Sequence, residues 1–420
     1  MSRLVVVGLG YVGLPMALRA AEVGHDVCGY DLDKQVVDQL NAGSSHIGDV
    51  SDHKLRQAVA SGRFAATADP RCIASAEVII VCVPTPLNGD GGPDLAALRS
   101  SAQTIGRHVA DGALVILEST TYPGTTEEEF APLVLSSRRP MPSQVKIAFS
   151  PERINPGDET YHIKNTAKVV GGLGLESTLA ARDFYATFVD EVVTAAGVRE
   201  AEMAKLIENT FRHVNIALVN EMLRFCGELD IDLWNAIDCA SSKPFGYMPF
   251  RPGPGVGGHC IPVDPSYLSH RVRAKLGYSF RMVELAEEIN HAAPLYVADR
   301  AWQLLNIRGK PVKGSKILLL GITYKENVGD MRETPARPLA DQLSAWGADV
   351  SYCDPYVTTW SLGGKRIDSL PSPEAGAAAS DLTILLQPHR AFDIAGITDS
   401  ADILLDTRGM LNESDNVQRL

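Results

Sequence analysis

One hexapeptide constrains this chain more than any other feature. Gly8-Leu9-Gly10-Tyr11-Val12-Gly13 follows a short β-branched run, residues 4–7, and opens a stretch of helical composition, residues 14–23. In that setting the first glycine allows a tight turn. The second lets the backbone approach a pyrophosphate, and the third lets helix and strand pack closely. The unsatisfied N–H groups and the dipole of the helix start then face the phosphates. The next strand, residues 26–30, runs into Asp31. A carboxylate there accepts hydrogen bonds from a ribose diol and repels a 2′-phosphate, so NAD is favoured over NADP. Gly8, Gly10, Tyr11, Val12, Gly13 and Asp31 are the candidate cofactor contacts. The bland alternative is a glycine-rich turn with no ligand; strand, helix and acidic residue together speak against it.

The chain has 420 residues. At roughly 100–200 residues per domain, that suggests two or three domains. Further strands are expected at 78–83, 114–118 and 145–149, with helical composition between them, which predicts a parallel doubly wound sheet. The pattern changes near Val198. Residues 198–229 read as one long helix without proline, and 230–240 as a second. A Gly/Pro-rich loop covers 244–265. Residues 280–306 are again helical, with Pro294 expected to break or kink them. Alternation returns near Lys313, with strands expected at 316–320, 348–352, 382–386 and 403–405, but without a second G-x-G-x-x-G. The expected fold class is α/β: two Rossmann-like doubly wound domains joined by a helical middle domain with a long central helix. The boundaries fall at 1–197, 198–306 and 307–420.

Composition narrows the function classes. The net charge is -12 with no long basic run, which argues against nucleic-acid binding. Such a chain binds a diphosphate only through local N–H donors and a few placed Lys or Arg residues. The cysteines number seven, an odd count with no C-x-x-C pair. A disulfide framework and a zinc site are therefore poor readings, and no metal is expected. This pattern fits a reducing cytoplasm. The apolar stretch 4–21 resembles a signal peptide, but its glycines have fingerprint spacing. No apolar run elsewhere is long enough to suggest a membrane span.

The loop Gly257-Gly258-His259-Cys260-Ile261-Pro262-Val263-Asp264 holds a cysteine in a sterically open, glycine-rich setting, with a carboxylate four residues on. That is a moderate signal for a nucleophile. His259 has no partner ligands spaced around it. Further motifs surround the loop in chain order. They are Val83-Pro84-Thr85-Pro86, residues 118–126 (ESTTYPGTT), Ser150-Pro151-Glu152-Arg153, Glu208-Asn209-Thr210-Phe211-Arg212, residues 321–325 (GITYK) and residues 330–333 (DMRE). Taken together, the chain closely resembles the UDP-glucose/GDP-mannose dehydrogenase family over nearly its whole length.

The resemblance implies an NAD-dependent enzyme that oxidises the C6 alcohol of a UDP-sugar to the carboxylate at one site. Cys260 would trap the aldehyde as a thiohemiacetal, and the second oxidation would give a thioester that water releases. It also implies an NAD-binding first domain, a dimerising middle domain and a nucleotide-sugar-binding third domain. Lys205 and Asn209, spaced i, i+4 on one helix face, would stabilise the oxyanion and orient the reacting oxygen. Without the resemblance they would read as a solvated lysine and a surface asparagine. Asp264 would orient Lys205 or water. Glu152, with Thr120 beside it, would place the hydrolytic water. Thr85, Ser119 and Arg332 match cofactor contacts. Arg153, Arg212, Lys243, Arg251, Gly257, Tyr324 and Lys325, together with Glu152, Lys205 and Asn209, are candidate substrate contacts. The His259–Pro265 loop, with valine rather than lysine before Asp264, looks more like the branch acting on UDP-N-acetylhexosamines. UDP-glucose is the alternative sugar.

Two other classes compete. A two-electron hydroxyacid dehydrogenase shares a Rossmann domain followed by helices, but has no use for Cys260 or for residues 313–420. A non-enzymatic NAD-binding scaffold has no use for Lys205, Asn209, Cys260 and Asp264. Apolar positions on the long helix, including Met203, Leu206, Ile207, Val214, Ala217, Leu218 and Leu223, suggest a homodimer or higher homo-oligomer.

Overall fold

The computed structural model describes every residue except 49, 90, 138–143, 155–159 and 259–260. The chain divides into two compact units. One comprises Met1–Glu208 with His270–Leu276; the other comprises Asn209–Ser269 with Gly277–Leu420.

The first unit is built on an eight-stranded sheet. Its strands are β1 (Arg3–Val7), β2 (Asp26–Tyr30), β3 (Phe64–Thr67), β4 (Val78–Val81), β5 (Leu114–Leu117), β6 (Lys146–Phe149), β7 (Lys168–Gly172) and β8 (Val192–Thr194). They lie in the order β3-β2-β1-β4-β5-β6-β7-β8. The order reverses between β1 and β4, which makes the carboxyl ends of those strands the place where such sheets bind ligands. All four residues of β4 and all four of β5 are buried. That is why they read as continuous apolar runs: in a parallel sheet with both faces covered there is no polar side to alternate with. Each such buried aliphatic side chain contributes on the order of 1.5–3 kcal/mol.

The sheet departs from the expected parallel pattern at one place, where β6 and β7 pair antiparallel. Among the described residues no helix lies between them, so the chain turns back along the sheet instead of crossing over it. Strand β3 was hidden in the sequence because two of its four residues are alanines.

The second unit carries a five-stranded parallel sheet. Its strands are β9 (Lys316–Leu320) and β10 (Asp349–Cys353), then, after the hairpin β11 (Thr359–Leu362) and β12 (Lys365–Asp368), β13 (Leu382–Leu385), β14 (Leu404–Asp406) and β15 (Val417–Arg419). The order is β10-β9-β13-β14-β15. The hairpin turns on Gly363-Gly364, both with positive φ, the backbone that a tight two-residue turn of this twist requires.

The long helix runs over Val198–Glu228, uninterrupted by proline as the sequence implies. Of the break or kink expected at Pro294, the break does not occur: one helix spans Arg281–Ile307 with the proline inside it. Proline deprives the carbonyl four residues back, that of Asn290, of its helical donor. Gly255 packs against this defect so closely that a β-carbon there would lie 3.3 Å from both the Asn290 oxygen and the Pro294 ring. Pro294 is itself buried, and this packing holds the helix through it.

Candidate active site

The three glycines of the first loop do three different things. Gly8 has φ +88, and a β-carbon on it would lie 2.7 Å from the Cys82 carbonyl. A β-carbon on Gly13 would lie 1.8 Å from the Gly8 carbonyl. Around Gly10 a β-carbon would meet nothing within 4 Å. Two of the glycines are thus demanded by the fold, whereas the second leaves an open face beside the start of the helix Gly13–Glu22. A pyrophosphate fits that face. Tyr11 is partly exposed at the same turn. Asp31 holds the loop from below, accepting from Leu9 N–H at 2.8 Å and from Asp33 N–H at 3.0 Å. Asp31 N–H in turn donates to the Thr67 carbonyl. Thr67 also lines a surface cavity of about 550 Å³, with Lys34, Asp38, Asp69 and Arg71.

At the carboxyl ends of β4 and β5, Thr85 Oγ1 donates to the Thr120 carbonyl at 2.8 Å, and Ser119 Oγ donates to the Val83 carbonyl at 2.7 Å. These bonds tie the Val-Pro-Thr-Pro segment to the Glu-Ser-Thr-Thr segment. The end of the latter is pinned by Glu202. Its buried carboxylate accepts from Gly124 N–H, Thr126 N–H and the Thr126 hydroxyl at 2.6–2.8 Å. Burial nevertheless pushes the Glu202 pKa up.

Beside this lies a buried cluster of charge. Lys168, at the start of β7, places Nζ 3.1 Å from Glu118 Oε1 and 3.4 Å from Glu152 Oε2. Tyr185 donates its hydroxyl to Glu118 as well. Glu152 Oε1 accepts from the N–H groups of Arg153 and Ile154 at 2.7 and 2.6 Å. Burial opposes the charge on Glu152, but Lys168, the Ile154 N–H and Lys205 outweigh it and hold the carboxyl below its ordinary range. Burial wins at Glu118, whose pKa is raised. Arg153 is fixed by Glu208 at 2.6 Å and by the Ala167 carbonyl. Lys205 is 7% exposed, so in this fold it is not a solvated lysine.

In the second unit Asn209 is 0% exposed and donates from Nδ2 to Asp264, itself 3% exposed. Arg212 donates to the Asn209 carbonyl oxygen. Both ends of the amide are therefore fixed. Asn209 is thus one partner of Asp264, the carboxylate expected to orient Lys205 or water. Gly257 and Gly258 lie against Tyr324, where a β-carbon on either would come within 2.7 Å of its side chain. The segment carrying Tyr324 and Lys325 is held by Gln387, which donates to the Tyr324 carbonyl, and by Thr323, which donates to that of Lys325. His389 Nδ1 accepts from Asn327 N–H at 2.9 Å, which leaves the ring proton on Nε2, 3.2 Å from Asp354. Arg332 is bidentate on Asp330. Arg251 pairs with Asp238 at the surface, and Lys243 lies 4.9 Å over the Phe245 ring. Cys260 and His259 lie outside the described residues.

Residues 2–189 match the NAD binding domain of the UDP-glucose/GDP-mannose dehydrogenase family, 199–292 its central domain and 318–413 its UDP binding domain. The chain belongs to this family. It is an NAD-dependent nucleotide-sugar dehydrogenase, and the family reaction takes a UDP-sugar to its uronic acid. The UDP-N-acetyl-D-glucosamine 6-dehydrogenase of Salmonella typhi is 32% identical over 427 residues, covering 100% of this chain and 98% of that one. A UDP-D-ManNAc dehydrogenase structure from Pyrococcus horikoshii superposes with a TM-score of 0.88 at 30% identity, covering 99% and 98% of the two chains. A UDP-glucose dehydrogenase from Pyrobaculum islandicum gives 0.85 at 26%, covering 97% and 94%. Relatives named for different sugars thus share this backbone, and side chains must choose the sugar.

Several residues of this dehydrogenase carry no sequence signal of their own. Lys168 stands in no motif, and it meets Glu118, of the 118–126 motif, only through strand pairing. Glu202 is one acid among several on a long helix. Arg408, two residues past β14, donates from Nε to the Leu386 carbonyl at 2.6 Å. Burial pulls its pKa down to about 10 against the pull of Glu326 and Asp406. A lone arginine after a strand has no motif to betray it. Among the described residues no helix is long and apolar enough to cross a membrane, and no His/Cys/Asp/Glu group could hold a metal ion.

Proposed function

We propose that the sugar is a UDP-N-acetylhexosamine, oxidised at C6 to the carboxylate. The observation that carries this is the near-full-length likeness to a dehydrogenase named for UDP-N-acetyl-D-glucosamine and to another named for UDP-D-ManNAc. NAD supplies the oxidising power, accepting one hydride in each of two oxidations. Gly8, Gly10, Tyr11, Val12, Gly13, Asp31, Thr85, Ser119 and Arg332 hold it, with the adenosine toward the cavity beside Thr67. Cys260 Sγ captures the C6 aldehyde, so the intermediate stays bound for the second oxidation. Lys205 and Asn209 stabilise the oxygen at C6, and Asp264 and Arg212 fix the Asn209 amide for that task. Glu152, held ionised, takes the proton of the water that opens the thioester, with Thr120 beside it. Arg153, Lys243, Arg251, Gly257, Tyr324 and Lys325 contact the nucleotide sugar.

In this reading the chain works as NAD-binding (1–197), helical dimerisation (198–306) and nucleotide-sugar-binding (307–420) parts. It acts as a homodimer in the cytoplasm. The exposed Ile207, Phe211, Leu218 and Phe225 of the long helix support self-association, a property that light scattering reads directly.

A substrate panel of UDP-GlcNAc, UDP-ManNAc, UDP-glucose and GDP-mannose tests the sugar. A site that hydrogen-bonds an acetamido group leaves buried partners unpaired when the group is missing. We expect kcat/KM for one N-acetylated sugar to exceed that for UDP-glucose by at least about tenfold, on the order of 1.4 kcal/mol. Rapid NAD reduction with UDP-glucose and none with either N-acetylated sugar would overturn the assignment.

A further inference from the structure

We propose that Lys168 is the positioning residue for thioester hydrolysis, setting Glu152 to receive the proton of the attacking water. The inference rests on the reading that Glu152 activates that water. Strand register shows how the sequence builds the arrangement. Strands β6 and β7 pair Ala148 with Gly172 and Phe149 with Gly171. Continued three residues beyond β6, past Ser150, whose hydroxyl donates to the Val169 carbonyl, this register sets Glu152 across from Lys168. Glu118 comes off the end of β5, next to β6. Three charges from three neighbouring strands therefore converge on one edge. Lys168 Nζ bridges the two carboxylates at 3.1 and 3.4 Å, with side chains 0–13% exposed.

Each group has a distinct job. The Glu152 carboxylate is clamped from two sides, by the Arg153 and Ile154 N–H groups on Oε1 and by Lys168 on Oε2. Its rotamer is thereby fixed while its outer edge stays partly open. Lys168 is in turn held by Glu118, which also accepts from Tyr185, and Lys168 lies 5.2 Å over the Tyr185 ring. Without Glu118, the ammonium would have Glu152 alone and would be free to follow it.

In the hydrolytic step the water oxygen bonds to the thioester carbon, and its proton goes to Glu152. The C–S bond breaks with its electron pair on Cys260 Sγ, and the proton then passes to the thiolate or to solvent. No electrons leave the system, so this step consumes no NAD. Lys168 touches none of the reacting atoms. The groups that face Glu152 and bear on its titration are Lys168 on β7, Glu118 after β5, Lys205 on the long helix and the Cys82 thiol after β4.

The test is Lys168→Met on the full-length enzyme, followed by rapid mixing with NAD and UDP-N-acetylhexosamine. We expect a burst of about two NADH per site and then a steady rate at least about tenfold below wild type, with an acyl-enzyme on Cys260 in acid-quenched samples. KM should change less than about twofold. The acid limb of the kcat profile should rise by about one pH unit, because Glu152 loses its nearest cation. Lys168→Arg should restore hydrolysis and the limb. Removing one partner of a buried pair strands a charge. If Lys168→Met does not fold, the double variant Lys168→Met/Glu118→Gln removes that charge and should give the same burst. Equal slowing of both hydride transfers, with no acyl-enzyme and an unmoved acid limb, would make Lys168 structural and overturn the proposal. Glu152→Gln separates the two levels. If it hydrolyses normally, the Glu152 reading fails; if it accumulates acyl-enzyme while Lys168→Met does not, only the Lys168 proposal fails.

Discussion

Cys260→Ala is expected to lose at least about 10³-fold in turnover, equivalent to about 4 kcal/mol of barrier, while still binding NAD and UDP-sugar. Oxidation of an alcohol to an aldehyde by NAD is unfavourable, and a free aldehyde can leave. Capture by a thiol removes it from that equilibrium and produces a hydroxyl on the same carbon, ready for the second oxidation. Alanine offers no covalent route, so flux should stop at trace aldehyde. Cys260→Ser keeps an oxygen nucleophile of much higher pKa and a poorer leaving group. Its expected behaviour is slow conversion with an ester adduct visible by intact mass. Steady-state NADH production and mass spectrometry read both variants. Full activity in Cys260→Ala would sink the covalent mechanism.

Gly13→Ala and Gly10→Ala should part company sharply. A methyl at residue 13 would sit 1.8 Å from the Gly8 carbonyl, a backbone atom that cannot swing away. The helix Gly13–Glu22 would have to lift off β1. We expect a loss of several kcal/mol in stability, in the range of overpacked cores and strained backbone, together with NAD binding. At residue 10 the protein offers a methyl group open space. Gly10→Ala should leave thermal stability within about 0.5 kcal/mol of wild type and still weaken NAD by at least about tenfold, because the methyl occupies the space of the pyrophosphate. Thermal melts with NAD titrations on both variants check this. Unchanged NAD affinity in Gly10→Ala would show that the pyrophosphate does not cross this face.

The sequence was most readable where local chemistry dictates structure. The strand at 26–30 ends at Asp31 as read, and the long helix ends within one residue of its expected limit. The roles of Gly8 and Gly13 could be assigned one by one because each is a steric demand on a known turn. Non-local geometry was less visible. Nothing near Lys168 in the chain points to Glu152, since their meeting depends on an antiparallel return that the sequence reading took for a parallel sheet. Nothing near Glu202 in the chain shows that its carboxylate caps a loop from another part of the chain. Pro294 does not end its helix, since the proline rule considers a lone helix, whereas here Gly255 packs onto the defect. Lys205 and Asn209 needed the family resemblance to stand out, as helix spacing alone gives no hint of burial.

Counting NADH tests a four-electron oxidation at one site most directly. Limiting UDP-N-acetylhexosamine should be run to completion with excess NAD, measuring NADH by absorbance and the sugar product by mass. We expect about two NADH per sugar and a product carrying a C6 carboxylate, with no free aldehyde trapped by an added hydrazine. One NADH per sugar with an aldehyde product, or no NADH with any UDP-sugar of the panel, would contradict it.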